Sequence, residues 1–552
     1  MKNFPWFKFY PSVVPHHVNV QQYGSVLELF EESVEKFSDM PAYENMGKVI
    51  TYRELDHLSI RFANFLMNET NLEKGDRVAI QMPNLLQYPV VMFGALRAGL
   101  VVVNTNPLYT CREMEHQFVD SQAKAVIILA NFAHNLEKII EQTSIETVIT
   151  TEIGDLLGGL KGSVVNFAVK YVKKMVPAYH LPGAIRLKDA LRMGSRHTYQ
   201  KPDVSGDDIA FLQYTGGTTG VAKGAMLLHR NIVANMQQIS AWMLPGLRDG
   251  KEIVVTALPL YHIFSLTVNC LAMLKIGAHN LLITNPRDMK AFIKDLRKYP
   301  FSVITGVNTL FNGLLNQEDF KNLDFSGLKA AVGGGMAVQK VVADKWEKVT
   351  GIALAEGYGL TETCPVLSCN PIDGNVRVGT IGIPLPNTEM KIVDEKGQEM
   401  PLGEAGEIWA RGPQVMAGYW QRPDETAAVM EGEWFKTGDI AFMNEDGFTK
   451  IVDRKKEMIN VSGFNVYPNE IEEAVAAHPK VLEVGAIGVP DPKSNEVVKV
   501  FVVKKDNTLS VDELIQFCKE NLTAYKVPKY VEFKDELPKS NVGKILRRIL
   551  KE

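Results

Sequence analysis

Apolar residues recur along the chain with two periods, and the alternation between those periods sets the expected elements. Ser25-x-x-Glu28 precedes an apolar-periodic run to Phe37 and predicts a helix opened by a capping box. Short apolar runs at 125–129, 209–214 and 301–305 stand between helical stretches and predict strands of an α/β fold. From about 390 to 452 the pattern turns β-rich, with KIVDEKG, GEIWARG and FTKIVDRKKEMINV separated by glycine and acidic turns. Beyond it, a helix at 468–477, a strand pair at 482–503, a helix capped by Ser510-x-x-Glu513 and a basic tail predict a compact α+β unit. The expected fold class is therefore α/β: an N-terminal domain, 1–452, of αβ subdomains with a β-rich, barrel-like part, and a C-terminal domain, 453–552.

Residues 78–96 and 253–274 contain no Asp, Glu, Lys or Arg. The second window is long enough to cross ~30 Å of hydrocarbon. Pro259, His262 and Asn269 interrupt it, and its start at 253–256 is β-branched, so a buried strand, a loop and a buried helix are predicted instead.

Composition narrows the function classes. At 552 residues with 46% apolar and 22% charged positions, the chain can bury several large cores. Sixty Lys and Arg against 64 Asp and Glu give a net charge of -4, no field for a polyanion, and nucleic acid is not an expected partner. Five cysteines, an odd number without a C-x-x-C pair, suggest reduced thiols and neither a disulfide framework nor a zinc site. The start MKNFPWFKFYPS lacks the apolar core of a secretory signal, so the expected location is cytoplasmic.

The sharpest chemistry is Tyr214-Thr-Gly-Gly-Thr-Thr-Gly-Val-Ala-Lys-Gly224, directly after an apolar strand. Gly216, Gly217, Gly220 and Gly224 free backbone N–H groups to face an anion, Thr215, Thr218 and Thr219 add hydroxyls, and Lys223 adds a point charge. The set suits a polyphosphate. Because Gly224 follows Lys223, the order is not that of a Walker A loop.

This segment resembles the phosphate loop of the adenylate-forming enzymes, a family that includes acyl-CoA synthetases, luciferases and peptide-synthetase adenylation domains. Four further motifs match in order: Gly357-Tyr-Gly-Leu-Thr-Glu362, Thr437-Gly-Asp439, Asp453-Arg454, and Pro538-Lys-Ser-Asn-Val-Gly-Lys544. With LPLYHIFSL, ITGVNTLF and GFNVYPNEIEEAV, the likeness extends over essentially the whole chain and is similar to bacterial long-chain fatty-acid–CoA ligases.

The resemblance implies an enzyme that uses ATP, Mg2+ and CoA to convert a fatty acid to acyl-adenylate and then acyl-CoA; a fatty acyl-AMP ligase loading a carrier protein is the alternative. It implies that Tyr358 stacks on adenine beside Glu356, Gly357, Thr361, Gly334 and Gly335, that Thr215 and Glu362 hold the metal, and that Asp439 and Arg454 bind ribose. Lys544 would be the adenylation lysine, Lys456 the pivot of a mobile C-terminal domain, and Gly463 the residue facing the site during thioester formation. His262 and Gly335 would line the acyl site. Several aryl-CoA ligases carry lysines where this chain has Asn460 and Ser462.

Two partner expectations remain. A homodimer is left open, and peripheral membrane contact is expected through 162–177. There Ser163 would cap a helix with Val164, Val165, Ala168, Val172, Met175 and Val176 on one side and Lys170, Lys173 and Lys174 on the other. The aromatic start, Phe4 to Tyr10, is a second candidate for that contact.

Overall fold

The computed structural model describes residues 4–215, 222–243, 246–462, 464–540 and 543–551. Gly216, Gly217, Thr218, Thr219, Gly220 and Gly463 lie outside the described residues. Two large sheets form the body. In the eight-stranded sheet, Arg77–Gln81, Val101–Asn104, Ala123–Leu129, Thr147–Thr151 and Ile209–Thr215 run parallel. The nine-stranded sheet has a parallel centre of Ile253–Thr256, His279–Leu282, Val303–Gly306, Ala330–Gly333 and Leu354–Gly359. Antiparallel strands finish both edges of the nine-stranded sheet and one edge of the eight-stranded sheet, whose other edge, Ile185–Arg186, pairs in parallel. Parallel strands covered on both faces read as continuous apolar runs, and Val101–Asn104 and Ala330–Gly333 are buried at every position.

Helices bury the sheet faces. Thr51 opens Tyr52–Asn68 with a full capping box: its Oγ1 accepts from the Glu54 N–H at 3.1 Å, and the Glu54 carboxylate accepts from the Thr51 N–H at 2.8 Å. This helix packs Phe62 and Phe65 near Gln87–Arg97, which is buried along its length, and Phe93 there stacks on Phe30 at 3.9 Å. The box expected at Ser25 is only half formed. Ser25 caps Val26–Phe37, accepting from the Glu28 N–H at 3.4 Å, but the Glu28 carboxylate accepts from the Gly24 N–H at 2.7 Å.

The 253–274 window is the strand Ile253–Thr256, a turn, and the buried helical turns Ser265–Leu271 and Ala272–Ile276. Asn269 is satisfied inside the core, accepting from the Thr305 hydroxyl at 2.9 Å. Among the described residues no helix is long and apolar enough to cross a membrane. The aromatic start does not stand free as the membrane reading required. Trp6 is buried, Phe9 meets Phe448, and the Tyr10 hydroxyl donates to the Pro384 carbonyl at 2.6 Å.

The β-rich part is an antiparallel sheet of Glu389–Val393, Gly406–Arg411, Met430–Glu431, Trp434–Met443 and Thr449–Arg454. The run FTKIVDRKKEMINV, read as one β segment, is shared between two sheets. Thr449–Arg454 stays with the body, whereas Ile459–Val461 joins Phe464–Val466, Val481–Asp491, Asn495–Lys504 and Tyr530–Lys534 in a smaller sheet. Pro468–Ala476 and Val511–Asn521 cover that sheet over a separate core containing Ile471, Val484, Val500 and Leu514.

The helix expected from Ser163 begins earlier, at Gly159, and runs to Phe167 before a wider turn, Ala168–Val172. Ser163 is therefore an interior residue and not a cap. The outward face also differs from expectation. Val165 packs against the body, while Leu160, Val164, Phe167, Tyr171, Val172 and Met175 are exposed, Leu160 by 86%.

Candidate active site

Three parallel strands of the nine-stranded sheet end together: Gly306 pairs with Gly333, and Gly333 with Glu356. Ligands in open α/β sheets bind outside the carboxyl ends of strands, and a cavity of about 450 Å3 opens there. The body contributes Gly335, Glu356, Gly357, Tyr358, Asp439 and Arg454, and the small unit contributes Lys544. Gly335 has a φ of +76°, a left-handed conformation that favours glycine.

Asp439 stands opposite Arg454 across an antiparallel pair of strands. One carboxylate oxygen accepts from the Tyr358 hydroxyl at 2.6 Å, and the other lies 3.3 Å from Arg454 Nε. Asp439 is 5% exposed and is an acceptor-only group, matched to paired donors. Burial, reinforced by Asp439, holds the Tyr358 hydroxyl well above its usual range, so it remains a donor. Glu356, also buried, is pushed up to about 8 by burial.

Lys544 reaches this cavity on a tight loop. Ser540 N–H donates to the Lys544 carbonyl at 2.7 Å, and Lys544 N–H donates to Ser540 Oγ at 3.1 Å. Gly543 has φ +82°, and a Cβ there would stand 2.7 Å from Thr309 Oγ1. The body grips the loop at that point, because the Thr309 hydroxyl donates to the Gly543 carbonyl at 2.9 Å. Asn312, one turn on, donates to Leu482 O at 3.1 Å. Burial, with Arg454 adding repulsion, pushes the Lys544 amine down to about 8. His262 is pushed down to about 4 by burial and by the Lys544 ammonium, so its ring is neutral at physiological pH.

Glu362 follows Tyr358 on a short helical turn, Thr361–Thr363. Its carboxyl is 9% exposed and accepts from the Tyr419 hydroxyl at 2.7 Å, and burial raises its proton affinity. Thr215 ends its strand directly opposite Lys223. The Lys223 ammonium pairs with Glu425 and lies 5.1 Å from the Tyr419 ring centre. Arg422 extends the chain of charges, 3.1 Å from Glu425 and 2.8 Å from Asp120, and Asp120 accepts from the Tyr214 hydroxyl at 2.7 Å.

The structure thus gathers Gly335, Glu356, Gly357, Tyr358, Asp439, Arg454 and Lys544 at one cavity. Gly334 stands behind it, packed on Phe264 and the Gly357 carbonyl, and Lys456 occupies the connection between the sheets. Among the described residues no cluster of three or more His, Cys, Asp or Glu could hold a metal alone. Sequence reasoning missed Tyr419, Glu425 and Arg547. The first two lie in Gly418-Tyr-Trp-Gln-Arg-Pro-Asp-Glu425, outside every motif recognised, and Arg547 follows Lys544 by three positions.

A strand-end cavity lined by Tyr358, Asp439 and Arg454 and completed by an amine from a second unit fits a nucleotide-using enzyme. The chain belongs to the AMP-binding enzyme family: that family matches residues 30–420, and the AMP-binding enzyme C-terminal domain matches 470–544. Long-chain-fatty-acid–CoA ligases of Salmonella typhimurium and Haemophilus influenzae are 59% and 53% identical to it, each alignment covering 99% of this chain and 98% of the relative. Solved structures agree in fold. ATP-bound MatB from Rhodopseudomonas palustris matches with a TM-score of 0.82 at 29% identity, over 96% of this chain and 98% of that one. The anthranilate CoA ligase AuaEII matches with a TM-score of 0.86 at 24% identity, over 97% of this chain and 98% of that one.

Proposed function

We propose that the chain is an ATP-dependent long-chain fatty-acid–CoA ligase, which forms acyl-adenylate and pyrophosphate and then passes the acyl group to CoA with release of AMP. The observation that carries this reading is the entry of Lys544 from the small unit into the cavity of Tyr358, Asp439 and Arg454. Attack of a carboxylate on the α-phosphorus spreads negative charge over the phosphorus oxygens, and a buried ammonium stabilises that charge strongly. Tyr358 supplies the aromatic face for adenine, and Asp439 the acceptor for ribose hydroxyls. Gly335 lines the cavity, and His262, neutral beside Lys544, would stand with it at the carboxylate end of the acyl site. Near-full-length relatives that are long-chain fatty-acid–CoA ligases support the acid and the thiol.

Glu362 and Thr215 fit Mg2+. The Glu362 carboxyl is buried with a neutral donor as its hydrogen-bond partner, and hard oxygen ligands suit this cation when phosphates complete its shell. When bound, Mg2+ neutralises phosphate charge. The small unit, whose own sheet begins at Ile459, pivots at Lys456 between the two half-reactions, bringing the Gly463 segment to the site for thioester formation.

The exposed face of 159–175 fits an anionic bilayer surface. Leu160, Val164, Phe167, Tyr171, Val172 and Met175 offer apolar contact, and Lys161, Lys170, Lys173 and Lys174 surround them without an acidic residue between Asp155 and Asp189. Reversing Lys170, Lys173 and Lys174 to Glu should abolish flotation with anionic vesicles; unchanged flotation would remove this attachment. The enzymatic reading is tested by AMP release with ATP and palmitate, with CoA or an acyl carrier protein as acceptor. Palmitoyl-CoA formation is the expected result, and acyl transfer to the carrier alone would favour the acyl-AMP ligase.

A further inference from the structure

Arg547 lines the active-site cavity, yet its guanidinium is spent on protein. Its side chain is 13% exposed. Nε and one Nη donate to the two Glu472 oxygens at 2.8 and 2.7 Å. That Nη also reaches Asn469 Oδ1, and the other Nη meets Asp453 Oδ1 at 3.1 Å and Glu457. Every one of the five donors of the fork has an acceptor.

The acceptors come from different segments. Asp453 is the penultimate residue of the body strand Thr449–Arg454, Glu457 belongs to the connection, and Asn469 and Glu472 to the helix Pro468–Ala476 of the small unit. Asp453 is 1% exposed, and its second oxygen accepts from the Asn469 N–H at 2.8 Å. Rotation about the connection would carry Arg547, Asn469 and Glu472 away together, so the contacts to Asp453 are the ones that must break. Without Arg547, the carboxylates of Asp453, Glu457 and Glu472 would face one another with no shared cation. Among the described residues of the loop, the body's other grip, from Thr309, is a single bond between neutral groups and weaker than a charge-assisted fork.

We propose that Arg547 is a positioning residue for adenylate formation: it ties the turn that follows Lys544 to Asp453 of the body and so keeps Lys544 in the cavity. This rests on the role assigned to Lys544 above. Arg547 touches no reacting atom, and its influence belongs to the first half-reaction. A mere brace of the small unit would serve both half-reactions alike.

The test uses the full-length chain and measures two rates: palmitate-dependent ATP–pyrophosphate exchange, and thioester formation from supplied palmitoyl-adenylate and CoA. Arg547→Gln and Asp453→Asn should each lower exchange by about 30-fold or more while thioester formation stays within about threefold. The double variant should be no worse than the poorer single variant, because both remove one contact. Arg547→Lys, which keeps the charge and loses the fork, should recover part of the exchange. Equal losses in both half-reactions, or additive losses in the double variant, would overturn the proposal. If Arg547→Gln fails to fold, the isosteric Asp453→Asn decides alone. Wild-type exchange that Asp453→Asn leaves untouched defeats only the role of Arg547. A wild-type chain without exchange defeats the functional reading and this role with it.

Discussion

Lys544 titrates where an enzyme assay can see it. Burial and Arg454 lower it from 10.5 to about 8 in the nucleotide-free chain. At about 1.4 kcal/mol per tenfold change in proton affinity, this amounts to about 3 kcal/mol against the charged amine. The sign follows from the chemistry: the ammonium is the form that stabilises charge at phosphorus, so activity belongs to the protonated side. Because kcat/KM reports groups of the free enzyme, kcat/KM for ATP in palmitate-dependent pyrophosphate exchange should be level below about pH 8 and fall tenfold per unit above it. Glu356 titrates in the same range, pushed up to about 8, and has to be separated. Lys544→Arg should move the falling limb beyond the assay range, and Glu356→Gln should leave it in place. Stability supplies an independent check. A cation held below its unfolded value opposes folding while protonated, and stability then rises with pH between about 8 and 10.5 as the unfolded chain binds the extra proton. Lys544→Ala should therefore lose exchange by about 100-fold or more while gaining up to about 3 kcal/mol of stability at neutral pH, read from urea unfolding. A limb at pH 8 that persists in Lys544→Arg and vanishes in Glu356→Gln would refute the assignment.

Tyr419→Phe removes the hydroxyl that donates to buried Glu362. KM for Mg·ATP should rise about tenfold with the KM for palmitate unchanged, since a hydrogen bond to a charged group contributes about 1.5–3 kcal/mol. Gly543→Ala puts a side chain at φ +82° and 2.7 Å from Thr309 Oγ1. It should cost about 1–2 kcal/mol of loop docking and slow exchange far more than thioester formation, measured as separate half-reactions. Tyr10→Phe loses the bond to the Pro384 carbonyl and should destabilise the chain by about 1 kcal/mol in urea without changing kcat.

The fold was readable wherever the signal is local. Apolar runs at 125–129 and 209–214 became parallel strands, and the interrupted window at 253–274 became strand, turn and buried helical turns, because burial on both faces leaves its mark in consecutive residues. The sequence divides the chain at 453, inside this run, but which sheet takes each side is fixed by partners far along the chain. The same limit applies to the site. Tyr358, Asp439 and Lys544 announce themselves through motifs, and the cavity unites them. Tyr419 is met by Glu362 from 57 positions away, and Arg547 is held by residues up to 94 positions upstream. Nothing periodic connects such pairs. The phase of 159–175 failed for a different reason: apolar residues lie on both sides of that helix, and only the packing of Val165 shows which side faces inward.

Between Arg454, the last residue of the body sheet, and Ile459, the first of the smaller one, lie four residues. At about 3.5 Å per residue this tether extends no further than about 17 Å. The amine that completes the cavity is therefore never diluted: closure is intramolecular, at an effective concentration on the order of millimolar, whatever the amount of protein in solution. Cutting the chain at 455–458 would convert that step into a second-order encounter of two fragments. The rate of adenylate formation, indifferent to dilution in the intact chain, would then fall as the fragments are diluted.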